Sequence, residues 1–106
     1  MYSLIFCTCP DQSTAEKLAN HLIDESLAAC VNIVPGITSI YQWEGKRETG
    51  TELLLIIKTR EEMYTKLEKR ITELHPYELP EVISVSLNNG LPAYLDWITQ
   101  NTGNPV

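Results

Sequence analysis

The sequence predicts an α+β domain of the ferredoxin-like type, a βαββαβ sandwich with an extended β2–β3 hairpin and a C-terminal helix. Helical stripes alternate with segments of strand-like periodicity in that order. The two central strands, between Cys30 and Thr59, are unusually long. The 106 residues suffice for one hydrophobic core, so we expect a single domain over residues 1–106.

The first strand and helix have clear boundary signals. Leu4 to Thr8 has strand character, and Pro10-Asp11 ends it. Asp11 or Ser13 can cap the following helix, with Ser13 and Glu16 forming a capping box. The helix then carries an apolar stripe at helical spacing: Ala15, Leu18, Ala19, Leu22 and Ile23.

The long hairpin follows. Apolar residues alternate along its first strand, at Val31, Ile33, Ile37, Tyr41 and Trp43, and Glu44-Gly45-Lys46 forms the turn. A strand from Ala29 to Trp43 would span roughly 50 Å at ~3.3 Å per residue. A compact domain of this size has a radius of gyration of about 13 Å. We therefore expect the hairpin to bend at Pro35-Gly36 or to project beyond its own core.

A second helix follows the hairpin. Thr59 and Glu62 match a capping box, and one helical face carries Met63, Leu67, Ile71 and Leu74. His75-Pro76 ends this helix, because a residue before proline avoids the α region.

The last third predicts a fourth strand and a terminal helix. Val82 to Leu87 is the strand, and Pro92 suits the first turn of the helix. This helix carries Tyr94, Leu95, Trp97 and Ile98. We expect the tail, Asn101 to Val106, to be frayed.

The first strand predicts self-association. Leu4 and Phe6 are apolar on one face, and Ile5 and Cys7 are apolar on the other, while the run Leu53–Ile57 has no polar face either. Helices can cover only one side of this sheet, so the other side needs a second cover. Another copy of the chain is the simplest one, and a projecting ribbon with aromatic residues near its tip also needs a partner.

Composition limits the classes of partner that we expect this chain to bind. The chain is 43% hydrophobic and 21% charged, with a net charge of −6. Nucleic acids and anionic membranes select basic surfaces, so we expect neither as a partner. The acidic charge also argues against an RNA-recognition module, which shares the βαββαβ order but uses a basic, aromatic surface. Three cysteines do not suggest a disulfide framework, and the N-terminus lacks leader features, so we expect a cytoplasmic location.

Two cysteines and a histidine are candidate metal ligands. Cys7 and Cys9 lie at i and i+2, hence on one strand face, and Cys9 precedes a helix N-terminus that favours thiolate. Because strands one and four are antiparallel neighbours in this topology, we expect His75 at the same edge. Thiolate and imidazole suit copper or zinc. The alternative is structural: Cys7 and Cys9 fill the strand end and His75 caps a helix C-terminus.

Signatures of catalysis are missing from the sequence, which contains no G-x-S-x-G, Walker loop, G-x-G-x-x-G or HExxH motif. We therefore expect no enzymatic activity. Polar and aromatic groups at the hairpin tip and strand ends are instead candidate cleft or interface contacts: Tyr41, Trp43, Lys58 and Glu81. The positive charge of Lys58 could bind an anion, or it could form an ion pair with a carboxylate across an interface.

Three stretches carry a family resemblance: LAACVNIVPGITSIYQWEGK at Leu27 to Lys46, LLIIKT at Leu54 to Thr59, and HPYELPE at His75 to Glu81. With these the chain resembles the CutA family of divalent-cation-tolerance proteins along nearly its whole length. The resemblance implies a ferredoxin-like homotrimer whose long hairpins wrap neighbouring subunits. It also implies kinship with PII signalling proteins, a link to copper tolerance, and copper binding.

The resemblance implies metal ligands at a strand-one cysteine and at two adjacent histidines before Pro-Tyr. Cys7 and His75 match two of these positions, and Leu74 stands at the third, where Cys9 could substitute. One hypothesis is therefore a cytosolic homotrimer that binds copper or another divalent ion weakly through Cys7 and His75. The other is a PII-like, non-enzymatic regulatory or scaffold trimer that binds a small anion or a protein at its inter-subunit clefts.

Overall fold

The chain forms one four-stranded antiparallel sheet with helices packed on it. A computed structural model describes residues 1–103. Its elements are β1 Tyr2–Cys9, α1 Gln12–Asp24, β2 Cys30–Trp43, β3 Lys46–Arg60, a short 3-10 turn Glu61–Met63, α2 Tyr64–Leu74, β4 Ile83–Ser86 and α3 Pro92–Gln100. The strand order is β2-β3-β1-β4. The α+β, ferredoxin-like prediction is thus confirmed, with β1 flanked by β3 and β4.

The core lies between one sheet face and helices α1 and α2. Alternate residues of β1 and β3 point into it, among them Ile5, Cys7, Leu55 and Ile57, which are fully buried. The two helices contribute their apolar stripes: Ala15, Leu18 and Leu22 from α1, and Leu67 and Ile71 from α2. Burying these side chains is what holds both helices on the sheet.

The hairpin both bends and projects. The β2–β3 register shifts between Val34 and Ile37, and Gly36 adopts a φ of 77°, a conformation that suits glycine. The bulge thus occurs at the predicted Pro35-Gly36. Beyond it, Glu44 and Gly45 both have positive φ in a two-residue turn. The molecule is elongated, 46 × 26 × 21 Å, with a radius of gyration of 14.3 Å.

The second face of the sheet, which we call the open face, is also apolar. Leu4 and Phe6 lie there, opposite Val85 and Ile83 of β4. Leu4 and Phe6 are half-buried, whereas Val85 and Ile83 are 46% and 55% exposed. The two-faced apolar sheet inferred from β1 is therefore present, and a single chain leaves its open face partly exposed to water.

Both predicted capping boxes are wrong. Helix α1 begins at Gln12, so Asp11 is its N-cap and accepts a hydrogen bond from the Thr14 amide at 2.8 Å. Thr59 still belongs to β3, where its buried hydroxyl donates to the Leu27 carbonyl at 2.6 Å. The pairing of β3 with β1 continues through Thr59 to Arg60, beyond the predicted start of the helix. A 3-10 turn follows, in place of a helix start capped by Thr59.

The predicted fraying of the tail is also wrong as far as the described residues go. Thr102 is buried, and Arg60 donates to its hydroxyl at 2.8 Å and to its carbonyl at 3.1 Å. The Gly103 amide donates to the Ser26 carbonyl at 2.8 Å. Residues 104–106 of the predicted tail and of the predicted domain lie outside the described range. Over residues 1–103, no helix has the length and apolar character needed to cross a membrane.

Candidate metal centre

Strand β1 and the end of helix α2 bring three potential ligands together. Cys7 and Cys9 point to the helix-covered side of the sheet, and His75 follows α2 as its C-terminal cap. The Sγ atoms of the two cysteines and one ring nitrogen of His75 all lie within 4.8 Å of one another. Both cysteines are fully buried and His75 is 8% exposed. The sheet edge inferred from the βαββαβ order therefore contains this cluster.

The two thiols influence each other directly. A hydrogen bond with Cys9, together with burial, raises the pKa of the Cys7 thiol well above its usual range. The same hydrogen bond lowers the pKa of Cys9, while burial opposes that change. The negative charges of Glu52 and Glu81 further raise the pKa of Cys7. The two pKa values thus move in opposite directions, and Cys9 loses its proton more readily than Cys7.

The imidazole of His75 is held at both nitrogens by the backbone. Nε2 lies 2.8 Å from the Thr8 carbonyl, and Nδ1 lies 3.1 Å from the Tyr77 amide. A carbonyl only accepts and an amide N–H only donates, so Nε2 carries the proton and Nδ1 accepts. The ring also stacks at a tilt against Tyr77, with centroids 4.7 Å apart. His75 therefore ties the α2–β4 connection to the residue between the two cysteines.

The chemistry of this donor set fits a soft cation. Two sulfurs and an imidazole are ligands that copper and zinc accept, and burial excludes competing water. The sulfurs can accept a metal on loss of a thiol proton, whereas either nitrogen of His75 must first give up a backbone hydrogen bond. Leu74, at the position of the second histidine that the family resemblance implies, is apolar and packs against the core.

A cavity of about 580 Å³ lies between the hairpin and the α2–β4 connection. Three of the predicted contact residues line it, namely Tyr41, Trp43 and Glu81. Tyr77 lines it too and donates to Glu52 at 2.7 Å. That bond and burial raise the pKa of the Tyr77 hydroxyl, burial being the larger cause.

The cavity borders the cluster of Cys7, Cys9 and His75 and has acidic walls. Thr8, which lies between the two cysteines in sequence, lines it together with Glu52, Glu78 and Glu81. Among the described residues, no lysine or arginine does so. Such walls favour cations or hydrogen-bond donors over anions.

Lys58, the fourth predicted contact residue, lies elsewhere. Its ammonium group donates to the side chain of Asn32 and lies 3.7 Å from the sulfur of Cys30. Lys58 pairs with Cys30 across the β2–β3 ladder and with Leu4 of β1, so it lies on the open face. The structure therefore does not bring Lys58 together with Trp43 and Glu81 at the cavity of a single chain.

The sequence analysis did not select Thr8, Glu52 or Tyr77 as candidate contacts. Thr8 and Tyr77 act on His75 through backbone groups, which every residue type carries. Glu52 could have been found from the hairpin register, because it lies opposite Ile37 just beyond the bulge. It is the first carboxylate before the apolar run of β3.

Comparison with known proteins is consistent with this geometry. The family of the CutA1 divalent ion tolerance protein matches residues 3–101. The chain is 45% identical over 103 residues to the divalent-cation tolerance protein CutA of Thermus thermophilus, covering 97% of this chain and 100% of that protein. It is 45% identical over 101 residues to the chloroplastic protein CutA of Arabidopsis thaliana, covering 95% of this chain and 56% of that longer protein.

Solved structures show the same similarity at the level of the fold. A divalent cation tolerance protein (Cut A1) from Thermus thermophilus superposes with a TM-score of 0.95 at 45% identity, over 97% of this chain and 100% of that one. CutA1 from Oryza sativa superposes with a TM-score of 0.94 at 43% identity, over 98% of this chain and 95% of that one. Sequence and fold match across nearly the entire chain, and on that basis the protein belongs to the CutA1 divalent ion tolerance family.

Proposed function

We propose that this protein is a non-enzymatic, metal-binding trimer that contributes to divalent-cation tolerance, with copper as its principal ion. The observation that carries the proposal is the buried cluster of Cys7, Cys9 and His75, whose ligating atoms lie within 4.8 Å of one another. Membership of the CutA1 family supports the link to cation tolerance. Binding is weak, since Leu74 supplies no ligand where the family resemblance implies one.

Copper titration by calorimetry tests this proposal. Cys7→Ser removes one sulfur, and His75→Ala removes both the imidazole and its ties to the backbone. We expect both variants to bind copper more weakly than the parent. Cys30→Ser is the matched control, because Cys30 is the third cysteine and lies on β2, away from the cluster. If Cys7→Ser and His75→Ala both bind copper as the parent does, the proposed site is wrong.

The trimeric assembly is supported by the open face. Leu4, Phe6, Ile83 and Val85 form an apolar surface on the side of the sheet opposite α1 and α2. Partner copies that cover this face would remove it from water. Sedimentation equilibrium measures the mass directly, and a folded monomer at low micromolar concentration would contradict the assembly.

A cytoplasmic location is part of the same proposal. The three cysteines are free, and Cys7 and Cys9 remain available as ligands in a reducing compartment. Cell fractionation followed by immunodetection tests this, and recovery in an oxidising compartment would contradict it.

A second candidate function is a PII-like regulatory scaffold with a ligand in the inter-subunit cleft. The observation that favours it is the cavity lined by Tyr41, Trp43 and Glu81. The acidic lining changes the expected ligand from an anion to a cation or a hydrogen-bond donor. The parent and Trp43→Leu are titrated with cationic and with anionic small molecules, and binding is followed by Trp fluorescence. The comparison shows which charge of ligand the cavity prefers. Preferential binding of anions would contradict this choice.

A further inference from the structure

The donor geometry narrows the choice of ion at the cluster, and this inference rests on the proposed metal-binding function. We infer that Cys7 and Cys9 form a two-sulfur site for a soft monovalent cation, Cu(I), and that His75 positions the pair rather than ligating the metal. Three features of the cluster carry the inference: the spacing of the sulfurs, their burial, and the backbone hydrogen bonds of the imidazole.

The sulfur pair is set by the strand. Residues at i and i+2 of a strand point to the same face, and Cys7 and Cys9 lie opposite Leu55 and Leu53 of β3 in regular register. Two metal–sulfur bonds of about 2.3 Å, the length of a zinc–thiolate bond, span about 4.6 Å when collinear. The ligating atoms of the cluster lie within 4.8 Å. Because 4.8 Å is the upper limit for any pair of these atoms, both sulfurs are close enough to bind one two-coordinate ion.

The surroundings of the pair favour a low charge. Both cysteines are fully buried in an apolar cluster that includes Ile5, Leu53 and Leu55. Two thiolates and one monovalent cation leave a net charge of −1, and each thiolate that forms on binding releases its proton to solvent. Soft thiolate ligands select Cu(I), while a divalent ion such as Zn²⁺ requires about four ligands in a tetrahedral arrangement. The cluster supplies two sulfurs whose lone pairs are not used by the backbone.

His75 is occupied in a different way. Its Nε2–H donates to the Thr8 carbonyl and its Nδ1 accepts from the Tyr77 amide. Coordination through either nitrogen would break one of these partly buried hydrogen bonds and leave the backbone group without its protein partner. The intact bonds instead fix the peptide between Cys7 and Cys9. His75 thus holds the sulfur-bearing backbone in place.

Anaerobic titration with Cu(I), in competition with a chromophoric Cu(I) chelator, tests the inference, together with X-ray absorption on the loaded protein. We expect one Cu(I) per chain, with only sulfur in the first coordination shell. Cys7→Ser and Cys9→Ser should each weaken Cu(I) binding by at least 100-fold, and Cys30→Ser should leave it unchanged. His75→Gln, whose amide N–H can still donate to the Thr8 carbonyl, should retain Cu(I) binding within about tenfold and keep the sulfur-only spectrum.

Several outcomes would overturn the inference. These are nitrogen scattering from imidazole in the loaded parent, a loss in His75→Gln as large as in Cys9→Ser, or tighter binding of Zn²⁺ or Cu(II) than of Cu(I). In those cases metal binding at the cluster survives and only the choice of ion and ligands fails. If the parent binds none of the three ions, the proposed function fails as well. The X-ray absorption of the parent decides the ligands even where a cysteine variant does not fold.

Discussion

Replacing Val85 on the open face by lysine tests whether the protein is a monomer or an assembly that covers this face. Val85 lies on β4, at the edge of the sheet, and is 46% exposed in the single chain. A lysine on an edge strand of a monomer stays hydrated and changes stability by no more than about 0.5 kcal/mol. In an assembly that covers the open face, the same ammonium group would be buried without a partner.

The magnitude follows from the exposed half of the side chain. Covering it contributes about 1 kcal/mol, half of the roughly 1.5–3 kcal/mol for complete burial of an aliphatic side chain. An unpaired buried ammonium costs several kcal/mol more. We therefore expect Val85→Lys to weaken assembly by on the order of 4 kcal/mol per chain, close to a thousandfold in the association constant at 1.4 kcal/mol per factor of ten.

Sedimentation velocity over a dilution series is the assay. Val85→Lys should sediment as a smaller species than the parent at low micromolar concentration. Ile23→Lys is the matched control, since Ile23 has a similar exposure of 42% but lies on α1, away from the open face. If Val85→Lys keeps the mass of the parent across the series, the open face is not covered by another copy and the reasoning is refuted.

Three further predictions concern stability. Thr59→Val removes the buried hydroxyl that donates to the Leu27 carbonyl, and should lower the free energy of unfolding by about 1–3 kcal/mol in urea titrations; an unchanged midpoint would contradict this role. Trp43→Ala, near the hairpin tip, should lower the melting temperature by an amount that depends on protein concentration, because we expect the indole to contact a neighbouring subunit. Asp11→Ala removes the N-cap of α1 and should destabilise at pH 7, with Asp11→Asn as the cap-retaining control. The Thr14 amide lowers the pKa of Asp11, so this stabilisation is present above the ordinary value of 3.8 and is lost as pH falls through the folded-state pKa; a difference in melting temperature that persists unchanged below that pKa would contradict it.

Periodicity predicted the sheet and helices because burial of alternating or helically spaced apolar residues determines them. It placed Leu67 and Ile71 on the core face of α2, and it located the bulge at Pro35-Gly36. The boundaries were less predictable. Thr59 has the sequence signal of a helix cap, yet its pairing with Ser3 keeps it in the ladder, and only tertiary structure supplies that partner.

The candidate site could also be predicted only in part. Topology alone placed His75 at the sheet edge that carries Cys7 and Cys9, since antiparallel pairing of β1 with β4 brings the α2–β4 connection there. The state of the imidazole could not be predicted. It depends on the Thr8 carbonyl and the Tyr77 amide, and backbone groups leave no trace in residue type.

The preorganisation of the cluster supports the proposal that two sulfurs suffice to bind the ion. Ordering ligands on binding costs conformational entropy, which is smallest when the scaffold already fixes them. Cys7 and Cys9 lie on a strand paired along its length with β3, which fixes the spacing of their backbone atoms. The two backbone bonds of His75 and the proline that follows it restrain the adjoining connection. In this chain Leu74 packs against the core, and under the inference above Cys9 would supply a donor on the rigid strand instead. The proposed site would thereby use sulfur in place of imidazole, which would change the preferred ion more than the fold.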